Sequence, residues 1–234
     1  MKITAIVPSA GISRRMKSSL EKPYMLLGDK PILAHTLLCL DRSSSVHEVI
    51  LLVRRPRLAL ARKLVRAFRL KKVSGIYAGG KNRFESVWQG LKRVAPESDF
   101  VLVHDGARPL LSVALIHRVV GAAGLHGAAI PVLPITSTIK QSKGRFVDKT
   151  LVRKDLWEVQ TPQVFRKSLL LAGYEKARKE KMAPTDCAAL VEQLGKKVSL
   201  VTGDPKNLKI TTREELALAS VWLNGKVKSP CAWE

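Results

Sequence analysis

Short apolar runs recur along the chain, and between them apolar residues return every three or four positions. The runs show little alternation of apolar and polar residues, which is typical of strands in a sheet that is covered on both faces. Six runs are predicted strands: Lys2–Pro8, Glu48–Val53, Val73–Tyr77, Asp99–His104, Ala128–Leu133 and Lys197–Val201.

The segments between these runs carry helical signals. Pro31–Arg42 has a proline at an early helical position. Arg57–Leu70 combines an apolar stripe with a basic opposite face, and Thr212 and Glu215 form a capping box that opens the last helix. Alternating strands and helices predict an α/β fold, Rossmann-like, with a mostly parallel twisted sheet and helices on both faces.

One segment breaks this alternation. Ile135–Leu151 holds two β-prone stretches around the turn Lys143-Gly144, which predicts a protruding β-hairpin arm. We expect residues 1–234 to form a single domain in which residues 135–152 are an arm insertion.

Charge and cysteine content narrow the classes of partner and compartment. Lys plus Arg number 41 and Asp plus Glu number 19, a net charge of +22. Such an excess attracts nucleotides, sugar phosphates, RNA or anionic lipid, although a generally basic surface explains it equally well. Three cysteines without metal spacing favour free thiols in a reducing cytosol. No signal peptide and no membrane helix are predicted.

The first loop is small and then basic. In an open parallel sheet, ligands bind outside the carboxyl ends of the strands, where this loop lies. Ala10 and Gly11 allow the backbone to approach a phosphate, and Arg15 and Lys22 follow. The Rossmann glycine fingerprint and the Walker A motif are both absent. A phosphate-binding loop, a nucleic-acid contact and a solvated surface all remain open.

Four further segments carry candidate chemistry. In LVHDGARP an apolar strand delivers Asp105, a carboxylate that suits Mg²⁺, and Arg108 could hold a phosphate, although Asp105 could instead cap a turn. Arg153 on its own is interpreted as a surface residue. Lys209 lies between apolar neighbours, and Thr185-Asp186 is placed to cap a helix.

Taken together, these segments resemble the cytidylyltransferases of the methylerythritol phosphate pathway. The resemblance spans Ile6 to Leu218, and its sharpest parts are LVHDGARP and the TPQ-F stretch. It implies a nucleotide-diphospho-sugar transferase type of fold and transfer of CMP from CTP to 2-C-methyl-D-erythritol 4-phosphate, with release of pyrophosphate. It also implies Mg²⁺ and a homodimer formed through the arm. The matching stretches are PSAGISRRM, EKPYMLLGDKPILAHTL, AGGKNRFESV, LVHDGARP, VRKDLWEVQTPQVF, PTDCAALVE and KNLKIT.

The resemblance also assigns roles to individual residues. Catalytic roles are implied for Arg15, Lys22 and Lys209, and Asp105 would hold the metal. The substrate-binding residues that it implies are Ala10, Gly11, Gly80 and Ser86 for CTP, and Arg108, Thr138, Arg153 and Thr185 for the acceptor. Thr138 and Arg153 would reach the acceptor from the arm of the neighbouring subunit.

Several positions depart from the family pattern. Ser13 replaces a glycine of the loop, and Glu21 and Pro23 flank Lys22 where a proline before it and a glutamine after it are usual. Three further changes remove negative charge: Lys81, Lys206 and Cys187.

Two other functions stay open. One is cytidylyl transfer to another polyol phosphate, such as ribitol 5-phosphate. The other is RNA binding by a degenerate enzyme scaffold, although aromatic residues make up only 5% of the chain and none interleave with the basic helix face.

Overall fold

A mixed β-sheet with helices on both faces forms the body of the molecule. The computed structural model describes residues 1–11, 21–182 and 184–223. The strands are β1 (Ile3–Ser9), β2 (Leu26–Leu27), β3 (Lys30–Pro31), β4 (Glu48–Val53), β5 (Val73–Ala78), β6 (Phe100–Val103), β7 (Ala128–Pro134), β8 (Ile139–Lys143), β9 (Phe146–Leu151), β10 (Trp157–Val159), β11 (Gln163–Arg166) and β12 (Ser199–Thr202). The α-helices are α1 (Ile32–Arg42), α2 (Leu58–Ala67), α3 (Arg83–Leu91), α4 (Val113–His126), α5 (Lys167–Lys179), α6 (Ala188–Glu192) and α7 (Arg213–Leu223).

The main sheet is mostly parallel. Its strand order is β10-β7-β11-β6-β1-β4-β5, and β12 also pairs with β7. All six predicted strands are present, and the predicted fold class is confirmed. The sequence pattern does not predict β10 and β11, which run antiparallel to their neighbours. Pro162 stands between them, and a proline inside an apolar run argues against a strand.

The register of the sheet brings three loops to one edge. In the parallel pair β1–β4, Ser9 lies opposite Val53, and in the parallel pair β1–β6, Ile6 lies opposite Val103. The residues that follow β1, β4 and β6 therefore leave the sheet side by side. They begin at Ala10, Arg54 and His104.

Two apolar cores cover the two faces of the sheet. One packs α1, α2 and α4 against it, and its fully buried residues include Leu37 of α1 and Ile116 of α4. The other packs α3, α5 and α6, with Val87 and Leu170 among its fully buried residues. This double cover explains why the strand sequences are continuously apolar.

The helix boundaries largely follow the sequence signals. Pro31 immediately precedes α1 as its N-cap residue, so it stands one position outside the helix. Arg57 lies in a short 3-10 helix, Arg55–Arg57, that leads into α2. The capping box is confirmed, because the Glu215 amide donates to Thr212 Oγ1 at 3.3 Å and the Thr212 amide donates to Glu215 Oε2 at 2.7 Å.

The predicted hairpin is present as a separate two-stranded sheet made of β8 and β9. Its turn contains Gly144, whose φ of 62° suits glycine. Phe146 is 81% exposed and Val152, just after the hairpin, is 83% exposed. Within residues 1–11, 21–182 and 184–223, no helix is long and apolar enough to cross a membrane.

Candidate active site

A cavity of about 240 Å³ opens where β1 and β6 end. The residues around it come from the first loop, the loop before α3, the end of β6 and the loop before α7. Because it opens at the carboxyl edge of the parallel strands, it occupies the position that ligands take in such sheets. We call it the donor cavity. Its lining includes Ala10, Gly11, Lys22, Gly80, Ser86, Asp105 and Lys209.

The loop before α3 has a fixed shape. Asn82 caps α3 by accepting the Glu85 amide at 2.8 Å. Ser86 Oγ donates to the Asn82 carbonyl at 2.8 Å and accepts the Gly80 amide at 3.0 Å. A Cβ on Gly80 would lie 2.3 Å from Glu85 Cβ, so only glycine fits this turn. Gly80 and Ser86, both predicted site residues, therefore form one rigid wall of the donor cavity.

Asp105 is the centre of the charged cluster at the floor of this cavity. Arg83 Nε donates to its Oδ1 at 2.9 Å, and Lys209 Nζ donates to its Oδ2 at 2.7 Å. The Asp105 side chain is only 10% exposed. Burial alone would raise the pKa of this carboxyl, but the two cations outweigh burial and hold the pKa well below its usual range. Asp105 is therefore an anion at any working pH.

A hydrogen-bonded chain behind Asp105 fixes its backbone. The Asp105 amide donates to Thr161 Oγ1 at 3.2 Å, and Thr161 Oγ1 lies 3.0 Å from His104 Nδ1. Burial lowers the pKa of His104 to about 4, so the ring is neutral near pH 7. A neutral ring that accepts from Thr161 carries its proton on Nε2, which lies 3.3 Å from the Arg108 carbonyl. His104 is thus a packed residue directly after β6.

A second cavity, of about 410 Å³, lies on the other side of Asp105. We call it the acceptor cavity. Arg108 and Thr185 line it, and Arg108 Nη1 donates to the Asn207 carbonyl at 2.6 Å. Arg108 Nε is buried and has no hydrogen-bond partner in the described part of the chain. A buried donor without a partner favours an anionic ligand here.

Thr185 lines the acceptor cavity, whereas the next residue binds the start of α6. Asp186 Oδ1 accepts the Ala189 amide of the first turn of α6 at 3.0 Å. Gln163 Nε2 donates to the other oxygen of Asp186 at 2.7 Å. Thr185 is left as a lining residue.

Among the described residues, three line both cavities: Arg83, Asp105 and Lys209. They form a wall of two cations and one anion between the two spaces. A group that is transferred from a ligand in one cavity to a ligand in the other must pass this wall.

Comparison with known proteins identifies the family of this chain. Residues 3–225 match the family model of IspD, 2-C-methyl-D-erythritol 4-phosphate cytidylyltransferase. The chain belongs to this family. Its relatives of that name include one from Geobacillus kaustophilus, 39% identical over 97% of this chain and 99% of that one, and one from Syntrophotalea carbinolica, 40% identical over 96% and 97%.

Solved structures support the same family. The crystal structure of 4-diphosphocytidyl-2C-methyl-D-erythritol synthase from Anaerococcus prevotii superposes with a TM-score of 0.84 at 32% identity, covering 95% of this chain and 96% of that chain. The 2-C-methyl-D-erythritol 4-phosphate cytidylyltransferase of Thermus thermophilus superposes with a TM-score of 0.78 at 31% identity, covering 96% and 100%. The resemblance stated from the sequence motifs is confirmed.

Two site residues that the resemblance implied lie outside both cavities of this cytidylyltransferase. Thr138 and Arg153 flank the β8–β9 hairpin, and both are exposed. Arg153 Nη1 donates to the Thr136 carbonyl, which ties the two ends of the arm together. A third, Arg15, lies outside the described residues.

Arg83 was missed by the sequence analysis, although it lies inside the matched stretch AGGKNRFESV. It is the first residue of α3, and it reaches Asp105 through Nε and Cys187 Sγ through Nη1 at 3.6 Å. The sequence signal that could have indicated Arg83 as a site residue is a basic residue directly after the asparagine that caps α3. Nothing in the sequence order, however, places residue 83 beside residues 105 and 187.

Proposed function

We propose that the donor cavity binds CTP, that the acceptor cavity binds 2-C-methyl-D-erythritol 4-phosphate, and that CMP is transferred across the wall between them. The phosphate oxygen of the acceptor forms a bond to the α-phosphorus of CTP. The bond from that phosphorus to the bridging oxygen breaks, and pyrophosphate leaves. The observation that carries this proposal is the shared wall: Arg83, Asp105 and Lys209 line both cavities.

The proposed chemistry needs positioning and charge stabilisation more than proton transfer. The attacking phosphate oxygen is already deprotonated, so no general base is required. Negative charge grows on the α-phosphoryl group and on the leaving pyrophosphate, and fixed cations stabilise it. Lys22 and Lys209 supply charge on the donor side. Arg15, outside the described residues, is proposed to join them.

On the acceptor side, we assign Arg108 to the phosphate of methylerythritol phosphate and Thr185 to its polar groups. Arg108 is buried, and its Nε lacks a partner among the described residues. A guanidinium that is already held by Asn207 can bind phosphate at little entropic cost.

Asp105 fits the magnesium ion that the family implies. Mg²⁺ is usually held by one or two carboxylates together with substrate phosphates, and Asp105 supplies one carboxylate beside the donor cavity. The described residues contain no group of three or more His, Cys, Asp or Glu that could hold a metal without substrate. The Lys209 side chain, which donates to Asp105 Oδ2, is 41% exposed. Lys209 can therefore move into solvent and leave Asp105 Oδ2 to the metal ion. Bound there, Mg²⁺ would neutralise charge on the CTP phosphates.

We further propose that the enzyme is a homodimer in which each arm completes the partner's acceptor cavity. Thr138 and Arg153 are exposed and line neither cavity of their own chain. The arm and the strand after it also expose apolar side chains, which a monomer rarely leaves uncovered. They are Phe146, Val147, Val152, Trp157 and Val159.

A pyrophosphate-release assay tests the proposed function. The full chain is incubated with CTP, Mg²⁺ and either methylerythritol phosphate or ribitol 5-phosphate, and we expect release with the former. Release with ribitol 5-phosphate alone would overturn the proposed acceptor. Failure to release pyrophosphate with every polyol phosphate would contradict the proposed occupants of both cavities.

The location proposed for the enzyme is the cytosol, which the free thiols of Cys39 and Cys187 support.

A further inference from the structure

Glu21, the residue before Lys22, is bound by two arginines. Its Oε1 accepts from Arg54 Nη1 at 2.6 Å and from Arg57 Nε at 2.9 Å. The Glu21 side chain is 16% exposed, whereas the two arginine side chains are about 40% exposed. We call these three residues the Glu21 fork. The sequence analysis noted Glu21 only as a departure from the family pattern.

The arginines of the fork belong to a rigid part of the fold. Arg54 directly follows β4, and Arg57 ends the 3-10 helix, with its amide donating to the Arg54 carbonyl at 2.8 Å. Strand β4 pairs with β1 along its whole length. The fork therefore ties Glu21 to the sheet edge from which β1 delivers Ala10 and Gly11 to the donor cavity.

The hydrogen bonds and packing of the residues after Glu21 also restrict the position of Lys22. A 3-10 turn runs from Lys22 to Tyr24, and the Tyr24 amide donates to the Glu21 carbonyl at 2.9 Å. Tyr24 packs against the core formed by α1, and burial together with the Glu21 charge raises its pKa to about 12. Lys22 stands between the anchored Glu21 and the buried Pro23, and it lines the donor cavity.

Charge gives the fork a second effect. Arg54, Arg57 and Lys22 are like charges within one corner of the molecule, and Glu21 is the carboxylate that binds the two arginines. Without it, repulsion among the bases would favour separating the Lys22 segment from the end of β4.

We propose that Glu21 is a positioning residue that acts through Arg54 and Arg57 to hold Lys22 at the donor cavity. This inference rests on the proposed function, in which Lys22 contacts the phosphates of CTP. It assigns a functional role to the glutamate that this chain has in place of the proline usual in the family.

The test compares Glu21→Gln with wild type in steady-state assays and in equilibrium binding of CTP. We expect the KM and the Kd for CTP to rise about 10-fold, while the KM for methylerythritol phosphate changes less than about 2-fold. Glu21→Asp, which keeps the charge, should recover part of the loss. Asp29→Asn is the matched control, because it removes the exposed Asp29–Lys30 pair of the same segment. We expect it to match wild type.

A double-mutant cycle separates positioning from a general loss of stability. If Glu21 acts through the fork, Arg54→Gln/Arg57→Gln should match Glu21→Gln, and combining all three changes should cost no more than either set alone. Additive losses, a lower KM for CTP in Glu21→Gln, or equal rises in the KM of both substrates would overturn the proposal.

The two proposals fail in different ways. A wild-type enzyme that binds CTP without transferring CMP would contradict the proposed function, yet the Kd measurements would still test the fork. A transferring enzyme whose Glu21→Gln variant binds CTP normally would contradict the fork alone.

Discussion

Two regions of the molecule differ in how their side chains are bound. One is the wall between the two cavities, and the other is the arm. In the wall, Asp105 is 10% exposed and both of its oxygens are bound within this chain. In the arm, Phe146 is 81% exposed, and Thr138 and Arg153 line neither cavity. The charged groups of the first region are paired within one chain, whereas the second region exposes side chains that line neither cavity of the same chain.

The difference follows from how each region is held. Asp105 follows β6, Arg83 begins α3 and Lys209 lies in the loop before α7. They converge at the edge where the carboxyl ends of the parallel strands meet. In the described part of the chain, the two strands of the arm pair only with each other. A two-stranded hairpin is only marginally stable alone in water, so a surface that covers it would stabilise it. This contrast leads us to expect chemical defects from changes in the wall and assembly-dependent defects from changes in the arm.

The largest effect is expected in the wall. Lys209→Ala removes a preorganised cation, and we expect kcat to fall about 10²- to 10³-fold, as when one such donor is lost from a charge-stabilising site. Pyrophosphate release under saturating substrates measures it. The matched control is Lys206→Ala, three residues away, where the exposed lysine lines neither cavity. Equal losses in both variants would show that the wall is not distinct from the surrounding basic surface.

The two regions also differ in how much of their structure could be predicted from the sequence alone. The wall residues Asp105 and Lys209 could be predicted, because one ends an apolar strand and both lie in matched motifs. Their contact could not, since it joins residues 104 positions apart and requires the strand order to be known. The same holds for Arg83, which reaches Asp105 across 22 positions. The hairpin was predictable from local turn chemistry, but no local pattern indicates which surface would cover it.

An intermediate effect is expected from the arm. Arg153→Ala removes a charged contact worth about 1.5–3 kcal/mol, so kcat/KM for the acceptor should fall about 10- to 150-fold. If the arm acts on the partner, a purified mixed dimer of one Arg153→Ala subunit and one Lys209→Ala subunit keeps one intact site, because both defects fall in the other.

We expect this mixed dimer, isolated by two different affinity tags, to show about half the wild-type activity per dimer. Each parent homodimer, measured alone, is the control and should show only its own residual activity. A mixed dimer no more active than its parents would mean that the arm serves its own chain, and the comparison between a self-contained wall and a shared arm would fail.

The smallest effect is expected from the basic face of α2. Arg62 and Arg66 are exposed there, and no carboxylate of the described residues lies within ion-pair distance of either. Neither residue lines the donor or the acceptor cavity. At about 0.15 M salt the Debye length is roughly 8 Å, so their charge is largely screened from the bound substrates. Arg62→Gln/Arg66→Gln should therefore change kcat less than about 2-fold.

Salt concentration sharpens this last test. At about 0.01 M salt the Debye length grows to roughly 30 Å, so the loss of two positive charges should slow CTP capture and lower kcat/KM modestly while kcat stays unchanged. A large fall in kcat at physiological salt would mean that α2 is coupled to the wall. Retention of wild type on immobilised RNA, lost in this variant and steeply dependent on salt, would instead give the basic face a role of its own.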